Sequence, residues 1–430
     1  MRSFSHFFLL ALVLGRVPAW SSPDALPARA SSNTLTLSAA FQRTTELSPD
    51  LRARRYDERA AEALIEQAGL RPNPTLEVSV ENVLGTGATR GLDRLEGTLQ
   101  ASQTIERGGK RERRIELAQN EHHVALLQTR SQRADLLAAT ALAYLEVVAA
   151  ERAVEQAREL LTLASETQSA VEARVRGAMG SAADLARSRS ARALAQAELA
   201  QTEAAAASAR AALAATWGGS FSPEEAVQRL SGIPEAVPSL ENRLLALPQN
   251  PRLTQQQAAI DSRRATLKLE QAQVTQDLSV GGGVRFFREG SDAAFVAGVS
   301  VPLPLRHKNQ GAIRAARESL AGAESTLLAI ETALRISIEA AWRDLAQAHQ
   351  TAQSLQRDAL PPSEEAYSLV RDAYEQGRVP FFEVLDAQRE LLALKRSIRD
   401  QEIAYARAQI RLDALTDSAF TATLQMLVSP

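Results

Sequence analysis

Glu383 and Asp386 are the side chains whose spacing most plainly permits chemistry. Three residues apart in a helix, they hold two carboxylates on one face. Such a pair gathers cations, or moves protons where burial and a substrate pocket support it. No second catalytic group accompanies it: the sequence has no Ser/His/Asp arrangement in supporting context, and carboxylates recur throughout the chain. His122 and His123 are neighbours, so they diverge by about 100° on a helix rather than chelating as an i, i+4 pair would. His307 and His349 are scattered. With no cysteine in the sequence, no disulfide, thiolate metal site, thiol nucleophile or lipid anchor on an amino-terminal cysteine is expected. Gly85-Thr86-Gly87 with Gly91 superficially resembles a phosphate loop, but lacks the Lys-Ser/Thr pair and lies between strands. Gly108-Gly109-Lys110 likewise has no partner motif. The expectation is a protein that is not an enzyme, with no cofactor and no fixed metal.

The elements that must position the two carboxylates form a duplicated unit. Each half predicts two strands and then long helices. Strands are expected at 75–84 and 95–104 with helix from Lys110, and at 277–287 and 294–301 with helix from Gln310, an offset of about 200 residues. That is far longer than a solenoid repeat. No proline occurs between Pro74 and Pro223, and no glycine from Lys110 to Arg176. One helix of roughly 65 residues, on the order of 100 Å, is therefore allowed. Gly177-Ala178-Met179-Gly180 turns it, and 182–216 returns. In the second half Gly377-Arg378-Val379-Pro380 turns the chain and 382–416 returns, carrying Glu383 and Asp386. Pro361-Pro362, absent from the first half, must kink or break the second long helix.

The strands alternate. Leu76, Val78 and Val80 oppose Glu77, Ser79 and Glu81; Leu278, Val280, Val284 and Phe286 oppose Ser279, Gly281, Gly283 and Arg285. Ten-residue segments with this period suit tilted membrane-spanning strands, apolar outside and polar inside. An ordinary half-buried sheet is the alternative. No segment is apolar enough for a membrane-spanning helix; the best, 136–150, is interrupted by Glu146. Membrane entry would thus be by strands. Four strands leave open edges that lipid does not tolerate, which implies assembly with other copies.

Composition agrees with long helices: aromatic content is only 4% across 430 residues. The net charge of −2 argues against nucleic acid. Arg2, the apolar run from Phe7 to Leu14 and Val17-Pro18-Ala19 predict an export signal at 1–19. The expected organisation continues with a mobile segment at 20–35 and a first repeat at 36–216, with hairpin 75–104 and helical hairpin 110–216. An equatorial link at 217–250 leads to a second repeat at 251–416, with hairpin 277–301 and helical hairpin 310–416, and a tail at 417–430.

Several stretches resemble the TolC-type outer-membrane factor family, in its CzcC-like heavy-metal efflux branch. They are Gly69-Leu70-Arg71-Pro72-Asn73-Pro74-Thr75-Leu76; Ser102-Gln103-Thr104-Ile105-Glu106-Arg107-Gly108-Gly109-Lys110-Arg111; Val301-Pro302-Leu303-Pro304-Leu305 with Asn309-Gln310-Gly311; and Tyr374-Glu375-Gln376-Gly377 leading to Glu383-Val384-Leu385-Asp386-Ala387-Gln388. The resemblance implies a homotrimer with a twelve-stranded barrel in outer-membrane lipid and a helical tunnel across the periplasm of a Gram-negative cell. It implies passive efflux with an inner-membrane RND-type pump and a periplasmic adaptor, exporting divalent heavy-metal cations. Glu383 and Asp386 would then line the periplasmic gate, with Asp184 at the corresponding place in the first half. Tyr374 would help hold the mouth closed. Gly177, Gly180, Gly377 and Pro380 would shape the hairpin tips, where Phe381 and Phe382 would dock the adaptor or pack on the adjacent helix. Gly108, Gly109, Pro302 and Pro304 would bend strand into helix. A drug-efflux or type I secretion channel is the nearest alternative, and a soluble periplasmic coiled-coil adaptor the alternative of another class.

Overall fold

The computed structural model describes residues 34–221, 226–229, 232–416 and 420–426; the expected export signal lies outside them. In chain order the elements are β1 (Thr34–Leu35), α1 (Leu37–Leu47), α2 (Pro49–Gly69), β2 (Thr75–Glu81), β3 (Glu96–Ile105), α3 (Lys110–Arg176), α4 (Ala182–Ala215), β4 (Ala226–Val227), α5 (Leu240–Leu245), α6 (Pro251–Ala272), β5 (Leu278–Phe287), β6 (Asp292–Ser300), α7 (Gln310–Ser354), α8 (Leu360–Glu375), α9 (Phe381–Thr416) and α10 (Thr421–Met426).

β2, β3, β5 and β6 make one antiparallel sheet in that order, so the two hairpins pair with each other through β3 and β5. β2 ends at Glu81, short of the expected Leu84, because Asn82 and Leu84 take left-handed backbone and turn the chain. At the other end of the sheet, Gly108 (φ 74°) and Gly109 (φ 69°) turn β3 into α3. A Cβ on Gly108 would lie 2.7 Å from that of Thr275, so glycine is required there for space as well as for φ. The irregular segment holding Pro302 and Pro304 makes the matching turn into α7, after left-handed Asn309.

α3 is a single helix of 67 residues, as the unbroken run of good helix formers requires. Its counterpart is interrupted. α7 passes through a π-turn over Leu355–Ala359 into α8, where Pro361 and Pro362 occupy the first turn. The prolines lack N–H groups and crowd the carbonyls four residues back, which the wider turn accommodates. The helix therefore continues through a π-turn rather than ending.

The main core is an equatorial belt. Leu137–Val148 of α3, Leu334–Ala348 of α7 and Ile403–Leu412 of α9 contribute buried faces, joined by Leu35, Leu213, Trp217 and Val227. The segments expected to be irregular are pinned to it. β1 pairs in parallel with β4, and buried Tyr144 ties both: its hydroxyl donates to the Leu35 carbonyl at 2.7 Å and accepts the Gln228 N–H at 2.9 Å. Burial pushes its phenol up to about 12. Leu35, at the end of the segment expected to be mobile, is thus fully packed.

Candidate functional site

The two helical hairpins end in the same motif, one residue out of step with the 200-residue offset. In the first tip the Met179 N–H bonds the Arg174 carbonyl and the Ala178 N–H that of Val175; in the second, the Arg378 N–H bonds Ala373 and the Gly377 N–H bonds Tyr374. Each is a Schellman cap with a left-handed residue. That residue is Gly377 (φ 73°) in the second tip but Ala178 (φ 59°) in the first. Gly177, the sequence-level counterpart of Gly377, keeps a φ of −81°.

This register makes Asp184 the counterpart of Glu383: both are the third residue of their returning helices. Near a helix N-terminus a carboxylate is favoured by the dipole. Their surroundings differ. The Asp184 N–H donates to Ser181 Oγ at 3.1 Å, and Ser181 Oγ donates to Asp184 Oδ2 at 2.7 Å, a reciprocal cap. Arg187 lies 3.8 Å from the same carboxylate. In α9, Arg187 is replaced by Asp386, and Glu383 and Asp386 are both exposed and pair with no described residue. They share a face with Phe382, opposite buried Val384, Leu385 and Gln388.

The tips also hold each other. Arg174 stacks over the Tyr374 ring at 4.6 Å and donates to the Tyr374 carbonyl at 3.1 Å. Tyr374 packs on Phe381 with ring centroids 5.6 Å apart. Burial pushes the Tyr374 phenol up; nearby Arg174 opposes that and Asp184 adds to it. Phe381, Val384 and Leu385 close on Val171 of α3 in a second small core. Of its two expected roles, Phe381 takes packing on a neighbouring helix. It is only 3% exposed, because the first turn of α9 lies against α3, whereas Phe382 is 56% exposed. Gly180 lies close to Val175, whose Cγ2 a Cβ would meet at 3.1 Å. Pro380 accepts the Glu383 N–H at 3.1 Å and so opens α9.

Arg174 escaped sequence reasoning. Its signal was positional: it precedes Gly177 by three residues, as Tyr374 precedes Gly377.

In the sheet, register sorts the side chains by face. Val78, Leu99, Val284 and Phe295 stand in one row, and Phe295 is 93% exposed. The opposite face carries Ser79, Thr98 and Arg285 in one row and Glu81 and Glu96 in the next. Arg285 donates to Thr98 at 3.0 Å and Glu96 at 3.3 Å, and lies 3.8 Å from Glu81, bridging the two repeats. An apolar face left largely exposed and a polar face internally paired is the arrangement of a sheet with lipid outside and water inside. β2 and β6 are its open edges. Among the described residues no helix is long and apolar enough to cross a membrane, and no three acidic or histidine side chains gather as a metal site.

Comparison with known proteins is consistent along the chain. The family model described as outer membrane efflux protein matches residues 40–219 and 244–417. The cobalt-zinc-cadmium resistance protein CzcC of Cupriavidus metallidurans is 30% identical over 397 residues, covering 89% of this chain and 93% of that protein. The nickel and cobalt resistance protein CnrC of the same organism is 32% identical over 312 residues, covering 72% and 73% respectively. Among solved structures, the outer membrane protein VceC of Vibrio cholerae superposes with a TM-score of 0.73 at 18% identity, covering 88% of this chain and 96% of that one.

Proposed function

The chain belongs to the outer membrane efflux protein family, and from that membership we propose a trimeric exit duct for divalent metal cations, fed by an inner-membrane RND-type pump through a periplasmic adaptor. The protein is an outer-membrane efflux channel whose helices extend into the periplasm. Three copies would join β6 of one sheet to β2 of the next, which satisfies every open edge in a twelve-stranded barrel. The long helices would then enclose a tunnel with the hairpin tips at its periplasmic mouth. Threefold symmetry would gather three copies each of Glu383 and Asp386 into a ring that favours cations and disfavours anions. The tie from Arg174 to Tyr374 would hold the mouth closed, and Phe382 would be available to the adaptor.

One observation carries the metal reading, near full-length similarity to CzcC; the unneutralised α9 carboxylate pair agrees with it. The test is complementation of a deletion strain, scored on cobalt, zinc and cadmium salts beside a drug and dye panel. Restored metal tolerance with unchanged drug tolerance is expected. Restored drug tolerance alone would replace the metal reading with a drug-efflux one.

A further inference from the structure

At the helix end of the sheet, cations fall into two groups. One group is engaged. Lys110 Nζ bonds Asp277 at 2.8 Å, Arg111 caps the Gly69 carbonyl at 2.6 Å, and Arg114 is bound by Glu106. Burial alone would raise the Asp277 carboxyl, yet Lys110 and the Arg107 N–H hold it below its usual value. Lys110–Asp277 thus ties the start of α3 to the approach to β5, while the other two contacts stay within the first repeat.

The other group is exposed and has no side-chain partner among the described residues. Arg306 and Lys308 are exposed, and their only hydrogen bonds run through the backbone: Gln310 donates to the Arg306 carbonyl at 3.4 Å and accepts the Lys308 N–H at 2.8 Å. Arg71 and Arg107 are exposed at the same end, before β2 and after β3, and neither side chain has a described partner. What precedes Arg306 is apolar and exposed. Beyond the end of β6, whose outer row holds Phe295 and Val299, Val301, Leu303 and Leu305 are also exposed, the last two 75% and 80%. A strand with an exposed apolar row, followed along the chain by exposed apolar residues and then by exposed cations, has the sequence of chemistries of a lipid monolayer read from acyl chain to headgroup.

We propose that this end of the sheet is a headgroup collar: Leu303 and Leu305 enter the acyl layer of the periplasmic leaflet, and Arg306 and Lys308, with Arg71 and Arg107, bind the phosphates of its anionic phospholipids. Two things on the molecule favour lipid over a protein partner. The patch directly follows β6 and precedes β2 at one end of the sheet, and its charge opposes that of a phosphatidylglycerol headgroup. The proposal rests on the outer-membrane location alone and is independent of the cargo.

The test uses the full chain purified in detergent, with lipid retention read by native mass spectrometry. Dioleoylphosphatidylglycerol and dioleoylphosphatidylcholine are the probes. Wild type should retain the anionic lipid preferentially, and 0.5 M salt should erode the preference. Arg306→Gln with Lys308→Gln should lower the preference on the order of tenfold, while Arg306→Lys should largely keep it. Leu303→Asn with Leu305→Asn should weaken retention of both lipids. Retention of the heat-modifiable oligomer certifies that each variant is folded. Equal retention of the two lipids by wild type, as expected if the cations are reserved for a protein partner, would overturn the proposal. So would an undiminished preference in the double glutamine variant.

Discussion

The two repeats share a plan and differ where function would require it. In the first, α3 runs unbroken, its tip acid Asp184 is capped by Ser181 and faced by Arg187, and its turn is made by a strained Ala178. In the second, the helix passes through a π-turn before Pro361-Pro362, the tip carries Glu383 and Asp386 without partners, and Gly377 turns without strain. One tip thus uses its charge for its own structure; the other leaves its charges to solvent. The two helical hairpins are equivalent in plan, and the one with the π-turn and the unneutralised carboxylates is the half proposed for the gate.

The returning helices sharpen this difference at their far ends. In the tip register, Ala214 of α4 stands where α9 has Asp413, and both are buried. Asp413 is 0% exposed. It accepts hydrogen bonds from Thr423 N and Oγ1 at 2.9 and 2.7 Å and from Gln409 at 2.7 Å, and is ion-paired with Arg243 at 3.2 Å. Burial raises its carboxyl despite these bonds. Asp413 thereby clasps α10 and α5 to the second repeat, a role that apolar packing of Leu213 and Trp217 fills in the first. Asp413→Ala leaves Arg243 and Thr423 without their partner and should cost about 3–5 kcal/mol. Thermal unfolding in detergent reads this; a loss below about 1 kcal/mol would mean the clasp is dispensable.

A smaller effect should follow from cutting the two tips apart. Arg174→Ala removes a cation–π contact and a hydrogen bond together, a loss of about 1–2 kcal/mol at the tips. Channels in planar bilayers should then open more often, with single-channel conductance when open unchanged. Equal open probability would show that the tips are held closed by other contacts.

The smallest changes exchange the turns. Gly377→Ala should destabilise the second tip by about 1 kcal/mol, because φ is 73° there. Ala178→Gly should stabilise the first by a similar or smaller amount, since glycine relieves the left-handed strain. Opposite signs in paired melting curves are expected; equal signs would contradict the tip register.

Much of this fold was legible because it is periodic. The start and end of α3, the start of α7 and the faces of all four sheet strands follow from residue types at spacings of 3.6 and 2.0. The irregular turn at Pro361-Pro362 follows from proline chemistry. What escaped is non-local. The burial of Phe381 depends on Val171, and the neighbour of Tyr374 is Arg174, each about 200 residues away. The tip register escaped because an alanine, not Gly177, takes the left-handed position. Asp413 reads in sequence as one more helical acid; only the packing of Thr423 and Arg243 around it reveals a clasp.

The central claim is that the second repeat, through Glu383 and Asp386, makes the mouth of the duct selective for cations. The most direct measurement is the reversal potential of channels in planar bilayers under a salt gradient, for wild type, for Glu383→Gln with Asp386→Asn, and for Asp184→Asn. Wild type should be cation-selective, the α9 double variant should lose most of that preference, and Asp184→Asn should nearly keep it. An unchanged reversal potential in the α9 double variant would contradict the claim.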